Sequence, residues 1–531
     1  MSLLILFGLL VALVNPRGFI GGGYDDGRYL AAATRWALDG PILGENHWAL
    51  RWPVILPTAG ILRLFGPNAN ALMIPGLLSY LALGLVNYLG VRSAAGERAA
   101  FLAGFGIMAT PGIAYWATAI YPDLLEAVLW SAAFWSLWQA ARAADEGGRL
   151  RWLATAGLIA GFSICVRETS IALAFGLIGA ALLLLPRLPL KAWIIAAGCA
   201  AILPVGEYAI LWAASGDPIY RLHVDLRHIA IPTEDMRGGT ATGQLAVLNA
   251  GIMERWSGAG PVHIHWLVDT YINFFLNFYY GFAYVALAGL AIWQRRQRRT
   301  AGSFVPVKAP ATQGLVPALL LVAGANIVWN LYVLALNPSD RMFIPATTMV
   351  AICVAIFADR LWPVRSVRIT VALLMAVKAL STLIVADTLP NYRYTPAVAQ
   401  RVASAEGPVH VSWQTHSNMA LADPALRARL DLSPTPVGGY LMVYTSIRAP
   451  YVERVLPGRW RLIRSGVTGR VPYTARSLNG LLSALGGPSD LIKHADVEVR
   501  LFQRVAGPAG DAPVIVDARG RALPPEARPA N

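Results

Sequence analysis

The chain alternates long apolar blocks with short polar segments. Most blocks are roughly 17–25 residues long, the length that an α-helix needs to cross a bilayer. The sequence therefore predicts a mainly α-helical, polytopic membrane protein with about eleven transmembrane helices. The blocks lie at residues 2–20, 70–91, 99–116, 124–141, 152–166, 170–186, 192–214, 267–293, 313–335, 342–359 and 369–387.

The composition agrees with a lipid environment. Of 531 residues, 56% are hydrophobic and 14% are charged, whereas soluble domains are about one quarter charged. The mean hydropathy is +0.51. The formal net charge of +14 could suit nucleic acid, but many basic residues lie in short loops between apolar blocks. The bilayer is therefore the expected partner, and nucleic acid is not.

The basic residues divide the loops into two sets. One set of alternate loops carries 15 of them, whereas the opposite short loops carry only Arg167 and Arg341. Because cytoplasmic loops are enriched in Lys and Arg, residues 21–69, residues 215–266 and the tail after residue 387 are predicted to face away from the cytoplasm. In a bacterial inner membrane, that side is the periplasm.

The predicted outer segments differ in character, and they suggest two domains. Residues 1–387 would form the transmembrane domain, with an amphipathic interfacial helix from Trp52 to Phe65. Residues 215–266 look like a mobile surface loop. Residues 388–531 are richer in Pro, Gly and charge, and they predict a small soluble α/β domain. Its predicted strands are Val409 to Trp413, Val497 to Phe502 and Val514 to Val516, and its predicted helices are Ala420 to Leu430 and Ala475 to Leu485.

The most suggestive polar motif is Tyr24-Asp25-Asp26-Gly27-Arg28-Tyr29, directly after the first block. A carboxylate can take the proton from an acceptor hydroxyl that attacks an anomeric carbon. A nearby arginine can hold a departing phosphate. We therefore consider Asp25 and Asp26 candidate catalytic residues. Alternatively, either aspartate could simply cap the helix that follows.

This motif resembles the first-loop motif of the GT-C glycosyltransferases, in the branch of protein O-mannosyltransferases and lipid A aminoarabinose transferases. The resemblance covers roughly the first 190 residues. Its further parts are Arg35-Trp36-Ala37-Leu38-Asp39-Gly40, Arg51-Trp52-Pro53-Val54-Ile55-Leu56-Pro57, Leu64-Phe65-Gly66, Tyr121-Pro122-Asp123 and the segment from Gly157 to Glu168.

The resemblance implies a GT-C-like fold and an inverting transfer of a sugar from a polyprenyl-phosphate donor to a protein, lipid or glycan acceptor. It places Asp25 in the catalytic position, as the base or as a group that orients the acceptor, and it implies that Arg28 and Arg167 face the donor phosphate. Arg51, Tyr121, Asp123 and Arg341 complete the expected substrate-binding set. Relatives of the aminoarabinose branch have an acidic-basic pair where this chain has Arg51-Trp52, so a metal proposed at that point is in doubt.

Two acidic residues open the fourth block. Asp123 and Glu126 are three residues apart, a spacing that places both on one face of a helix. Asp123 could instead cap that helix. Together with Asp25 it could bind a divalent cation. The alternating pair in His263-Ile264-His265 could ligate zinc, but no Cys accompanies it, and such a pair is more often an interfacial or acceptor-contact feature.

Two further charged residues allow more than one interpretation. Arg341 could grip the pyranose or the phosphate, or it could pair with Asp340. Lys378 lies near the middle of the last block, where an unpaired charge is costly. It could face a polar cleft, pair with Glu207, or extend its ammonium group towards the membrane surface.

Two other functions compete with glycosyl transfer. A lipid-linked-sugar transporter or flippase would place ionisable residues in several spans and show repeat symmetry, but only Lys378 and Glu207 stand out and no repeat is visible. A non-catalytic protein of envelope glycan assembly is the second alternative.

Overall fold

A computed structural model describes most of the chain. The described residues are 1–14, 16, 25–66, 68–230, 252–257, 260–265, 274–275, 278–300, 314–333, 340–388, 395–403, 407–411, 419, 424–446, 458–467, 473–486, 497–507 and 513–516. Tyr24 and residues 337–339, which belong to motifs considered above, lie outside them.

The first 230 residues form helices joined by short connections. They are α1 (Ser2–Val14), α2 (Asp26–Asp39), α3 (Trp52–Phe65), α4 (Ala69–Leu72), α5 (Ile74–Ala95), α6 (Glu97–Met108), α7 (Pro111–Ala114), α8 (Pro122–Arg142), α9 (Glu146–Val166), α10 (Ile171–Leu184), α11 (Leu190–Ser215) and α12 (Tyr220–Ala230).

The rest of the helical part follows a two-stranded antiparallel sheet, β1 (Ile252–Ser257) with β2 (Gly260–His265). The long helices that the structure describes after this sheet are α13 (Ala283–Thr300), α14 (Leu315–Val328), α15 (Ile344–Arg360) and α16 (Arg365–Thr388). The last turn of α14 continues as a π-helix, Trp329–Val333. A 3₁₀ turn, Asp340–Phe343, precedes α15.

This architecture confirms a mainly helical, polytopic membrane protein. Among the described residues, five helical segments are long and apolar enough to cross a bilayer: Asn70–Ala95, Glu146–Val166, Leu190–Ser215, Arg341–Arg360 and Arg365–Thr388. Each of the eleven apolar blocks contains a helix, although several helices are short, such as the 13 residues of α1. The total of eleven spans stays a prediction.

Close backbone contact joins α9 to α11. A Cβ atom added at Gly157 would lie 2.1 Å from the carbonyl oxygen of Ala196, and one added at Gly161 would lie 2.1 Å from that of Ala200. In lipid, the hydrophobic effect does not drive helices to associate, so close van der Waals packing becomes important. Small residues spaced four apart allow the two helix backbones to make that close contact. The two glycines therefore set the distance between these helices.

The helix predicted from Trp52 to Phe65 is confirmed with the same bounds, as α3, and its place at the membrane interface stays a prediction. Its inner face is buried, whereas Leu56, Leu64 and Phe65 are exposed. The prediction of a mobile loop over residues 215–266 is wrong at its start, because α12 is an ordered helix. The guanidinium of Arg221 on α12 is buried between carboxylates, and this pairing holds the helix against the bundle.

The C-terminal part is built on a six-stranded mixed sheet with the order β4-β3-β5-β7-β6-β8. The strands are β3 (Val409–Val411), β4 (Leu430–Asp431), β5 (Tyr440–Ser446), β6 (Gly458–Val467), β7 (Val497–Val505) and β8 (Pro513–Val516). The helices are α17 (Thr395–Val402), α18 (Pro424–Arg427) and α19 (Tyr473–Ala484).

The three predicted strands of this region are present as β3, β7 and β8. Ser412 and Trp413, the predicted end of the first of them, lie outside the described residues. The predicted helix from Ala475 to Leu485 is present as α19. The predicted helix up to Leu430 is wrong at its end. Of its described residues, 424–430, Pro424–Arg427 are helical, whereas Leu430 pairs with Val409 in the sheet.

The α9–α11 contact yields a prediction about stability. Replacing Gly161 by Ala forces its methyl group against the carbonyl oxygen of Ala200, so the helices must separate. Overpacking of this kind costs about 1–3 kcal/mol. The midpoint of thermal unfolding in detergent should fall. Gly198→Ala on α11 is the matched control, since no atom lies within 4 Å of its added Cβ. Equal midpoints for the two variants would contradict this packing.

Candidate functional site

The site centres on an ion pair between two distant segments. Asp25 occupies the N-cap position of α2, but its side chain makes no capping hydrogen bond. Instead its Oδ2 accepts a hydrogen bond of 2.8 Å from Nη2 of Arg341. Arg341 belongs to the 3₁₀ turn before α15. The pair therefore joins the beginning of the chain to a segment 316 residues later.

Aromatic rings surround the guanidinium of Arg341. Its Cζ lies 5.2 Å from the ring centre of Tyr121 and 6.0 Å from that of Trp116. These two rings are 4.5 Å apart, and Tyr29 meets Tyr121 edge to face at 6.1 Å. Aromatic faces beside a charged pair are suited to a sugar, which offers both apolar C–H faces and hydroxyl groups.

The electrostatic environment keeps Asp25 ionised. Burial alone would raise the pKa of its carboxyl group. The positive charges of Arg341, Arg51 and Arg28 outweigh that effect and hold the pKa below the ordinary value of an aspartate. Asp25 is therefore a carboxylate throughout the physiological range, able to accept a hydrogen bond or a proton.

Asp25 and Asp26 have different surroundings although they are neighbours. The side chain of Asp25 is 28% exposed, whereas Asp26 is fully buried in the first turn of α2. The charge of Asp26, after the larger effect of burial, helps to raise the pKa of Tyr121. Of the two candidate catalytic residues, Asp25 is the one open to a ligand.

Arg28 lies one helical turn after Asp25. Its guanidinium stacks on Trp48, with Cζ 3.6 Å from the ring centre. A stacked guanidinium keeps its N–H groups in the plane of the group, the direction in which it binds phosphate oxygens. Its charge also acts on Asp25, so both residues belong to one electrostatic site.

The acidic pair at the start of α8 binds Arg167. Nη1 of Arg167 donates to Asp123 Oδ1 at 2.7 Å and to Glu126 Oε2 at 3.3 Å, so the two acids lie on one face of the helix, as their spacing predicted. Tyr121, and not Asp123, is the N-cap of α8. The side chains of Arg167 and Asp123 are 7% and 1% exposed. This guanidinium is sequestered by two carboxylates, which favours a positioning role over direct contact with a donor phosphate.

Arg51 is held in a second buried network. It donates to the hydroxyl of Tyr29 and, from Nη2, to Glu168 Oε2 at 3.2 Å. Glu168 also accepts from Nη2 of Arg221 at 2.5 Å. Burial opposes ionisation of Glu168, but the charges of Arg51 and Arg221 lower its pKa to about 2. This carboxylate therefore ties α12 to the start of α3.

Sequence reasoning missed the functional importance of Glu168, Arg221, Tyr29 and Trp116. Glu168 and Tyr29 stand inside the recognised motifs, where their polar character was a usable signal. Arg221 lies in a segment interpreted as a mobile loop, and nothing in its sequence neighbourhood identifies its partners.

The structure corrects the suggested pairing of Lys378 with Glu207. Nζ of Lys378 donates to the carbonyl oxygen of Gly106 at 2.8 Å and to Thr110 Oγ1 at 3.0 Å. Glu207 instead binds Arg221. Since α6 and the residue before α7 provide the two acceptors, Lys378 connects α16 to the turn between those helices.

A divalent cation finds no assembled ligand set here. Asp25 and Asp123 each bind an arginine. Within the ranges that the structure describes, no group of three or more His, Cys, Asp or Glu side chains could hold a metal ion. The side chains of His263 and His265 lie outside the described parts.

Known proteins match this chain in part of its sequence and across its fold. The family model described as dolichyl-phosphate-mannose-protein mannosyltransferase matches residues 54–212. This range includes Asp123 and Arg167 but begins after Asp25. No protein of curated function shows significant sequence similarity to the chain.

Two solved structures are similar over most of their length. ArnT from Cupriavidus metallidurans bound to undecaprenyl phosphate is 14% identical, with a TM-score of 0.52, over 96% of this chain and 98% of that one. The oligosaccharyltransferase of Archaeoglobus fulgidus in the apo form is 15% identical, with a TM-score of 0.47, over 84% of this chain and 69% of that one. The likeness to ArnT shows that this chain has a GT-C glycosyltransferase fold.

The buried Arg167 cluster yields a prediction about stability. Arg167→Met leaves Asp123 and Glu126 buried without their cation, and such a loss costs about 3–5 kcal/mol. Unfolding in mixed detergent should show a lower free energy of unfolding by that amount. Arg98→Met is the control. Arg98 pairs with Asp359 at a site where its side chain is 52% exposed, and pairs of that kind contribute about 0–1 kcal/mol. An equal decrease in the free energy of unfolding in Arg167→Met and Arg98→Met would refute the distinction between a buried and an exposed ion pair.

Proposed function

On this fold and this site, we propose that the protein transfers a sugar from a polyprenyl-phosphate donor to an acceptor on the non-cytoplasmic face of the membrane. Asp25 is the base, Arg341 and Arg28 bind the donor, and the stereochemistry at the anomeric carbon is inverted. The acceptor is a protein, lipid or glycan that carries a hydroxyl group.

The observation that carries the proposal is the accessibility of one ion pair. The side chains of Asp25 and Arg341 are 28% and 22% exposed. By contrast, those of Arg167 and Asp123 are 7% and 1% exposed, and those of Arg221 and Glu207 are 3% and 6% exposed. A ligand can reach the first pair and is kept from the other two. Glu168 is accessible too, at 34%, but two arginines, Arg51 and Arg221, bind it. Asp25 is therefore the accessible carboxylate that we assign to the chemistry.

The proposed reaction is a single displacement. The acceptor oxygen attacks the anomeric carbon while the bond from that carbon to the phosphate oxygen breaks, and polyprenyl phosphate leaves with the bonding electron pair. The acceptor proton passes to the carboxylate of Asp25. Because the acceptor oxygen becomes strongly acidic as it bonds to carbon, a carboxylate with a low pKa suffices as the base.

The leaving phosphate needs positive charge on its side of the sugar. Arg28 is suited to that task, because its guanidinium is oriented by Trp48 and lies one turn from Asp25. Arg341 remains beside Asp25 and the sugar. Charge fixed in advance where negative charge develops lowers the barrier to reaction. The similar structure that holds undecaprenyl phosphate supports this class of donor.

Removal of the proposed base gives the first functional test. Asp25→Asn keeps the shape of the side chain but cannot take a proton, so turnover should fall by about 10²–10⁴-fold. Binding of the donor should change little. The measurement is the release of polyprenyl phosphate from a panel of polyprenyl-phosphate sugars, together with the dissociation constant of each active donor.

Asp39→Asn is the matched control, because Asp39 is exposed at the other end of α2 and turnover should stay at the native level. Native turnover in Asp25→Asn would remove Asp25 from the chemistry. Movement of an intact lipid-linked sugar across the bilayer, without release of polyprenyl phosphate, would favour a flippase.

The lowered pKa of Asp25 predicts a pH dependence. Its carboxylate is the active form, so kcat/KM should stay high until the pH falls below the ordinary aspartate value of about 3.9. Arg341→Gln removes the largest of the charge effects that lower the pKa of Asp25, so this pKa rises. The acid limb of the kcat/KM profile should therefore move to higher pH. Arg35→Gln, exposed on the same helix, should leave the limb in place. An unmoved limb in Arg341→Gln would show that another group governs it.

A further inference from the structure

The C-terminal helix α19 has an apolar face that is only partly covered. Leu478, Leu481, Leu482 and Leu485 fall within one arc of about 100° around the helix axis. Leu478 and Leu482 are half-buried, whereas Leu481 and Leu485 are 56% and 76% exposed. One side of the apolar face therefore packs against the chain, and the other side faces outward.

Helix α19 packs against α16. On α16, residues 372–374 and 376–377 are exposed, as expected for a helix surrounded by lipid. From residue 381 to residue 388 every residue is buried or half-buried. Contacts with other parts of the chain, such as that of Thr382 with the carbonyl oxygen of Ala109, enclose the last two turns of α16, and α19 packs against this same helix.

Polar groups occupy the rest of the α19 surface. Arg476, Asn479 and Ser483 lie opposite the leucine arc, and Arg476 is exposed. At the first turn, Tyr473 is 81% exposed. Leucines on one side, a basic residue on the other and an aromatic residue at one end are typical of a helix that lies in the plane of a membrane interface.

We propose that α19 is a membrane-surface anchor: Leu481 and Leu485 insert into the leaflet at the outer end of α16, and Arg476 stays among the lipid headgroups. The occupant of this apolar face is the bilayer itself. The argument is continuity, because α19, which carries the uncovered leucines, packs against a segment that is long and apolar enough to cross that bilayer.

The anchor fixes the C-terminal sheet at a defined depth. The chain leaves α16, forms α17, and enters the sheet, and α19 returns to α16 after β6. A region joined to a span by one connection alone can rock on it. A second attachment through α19 removes that freedom, whatever reaction the transmembrane part catalyses.

Site-directed spin labelling in lipid nanodiscs tests the proposal directly. A nitroxide is placed at Leu481→Cys or Leu485→Cys in the full chain whose native cysteines, Cys165, Cys199 and Cys353, are replaced by alanine. Collision rates with oxygen, which concentrates in lipid, and with a water-soluble nickel chelate are then compared. The oxygen-to-nickel ratio should be several-fold higher than at Val437→Cys.

Val437 is the matched control because it is an exposed apolar residue, 63% accessible, in the same C-terminal region. Val437 adjoins Gly438, whose N–H donates to the carbonyl oxygen of Arg504. Arg504 pairs with Trp460 near the start of β6. Because α19 follows the other end of β6, the control position is separate from α19. Free access of the nickel chelate to position 481 or 485 would overturn the proposal. Labels that are immobilised and shielded from both oxygen and the nickel chelate would also overturn the proposal. They would indicate that this face contacts another protein or a second copy of the chain.

A second measurement keeps the native cysteines. In Leu481→Asp/Leu485→Asp, the buried contacts of Leu478 and Leu482 remain, but insertion into lipid becomes unfavourable. Amide hydrogen exchange over residues 473–486 in nanodiscs should become several-fold faster, and it should not change in Val437→Asp. Unchanged exchange in the double variant would contradict the anchor.

Discussion

Ion pairs between distant segments organise the polar end of this helical bundle. A charge removed from water is costly unless a partner compensates it, and here the partners come from far along the chain. Asp25 binds Arg341, Glu168 binds Arg51, and Asp123 binds Arg167. Inside a bilayer the hydrophobic effect does not hold helices together. These pairs therefore supply specific connections that apolar packing alone would leave undetermined.

Differences in burial underlie the different roles that we propose for these similar pairs. Perturbed ionisable groups cluster at functional sites, but structural pairs are perturbed as well, so the shift of a pKa does not by itself identify a catalyst. Accessibility makes the distinction. The Asp25–Arg341 pair is open and lined by Tyr121 and Trp116, whereas the Arg167 pair is closed. The closed pairs keep the backbone of the open one in place.

The sequence predicted local features well and partnerships poorly. Apolar periodicity located α3 to the residue, and the acidic spacing at Asp123 predicted its shared contact with Glu126. The contact of Asp25 with Arg341 spans 316 residues, and no local pattern encodes such a distance. For the same reason α12 was mistaken for a loop, since burial of its Arg221 depends on Glu168 and Glu207. Strand β6 was not predicted either, because Arg459 and Arg461 interrupt its apolar residues, of which Trp460 is buried whereas Ile463 and Val467 are exposed.

A lipid-phosphate donor makes the depth of the site a physical requirement, because the phosphate lies at the membrane interface while the lipid tail stays in the bilayer. In the proposed reaction, the exposed Leu64 and Phe65 of the amphipathic helix α3 would set that depth by entering the interface. Two contacts transmit it to α2: Arg51 binds Tyr29, and Arg63 donates to the carbonyl oxygens of Ala37 and Trp36 at 2.9 and 3.1 Å. Asp25 immediately precedes α2. The depth of α3 in the membrane would therefore also set the distance between the proposed base and the lipid headgroups.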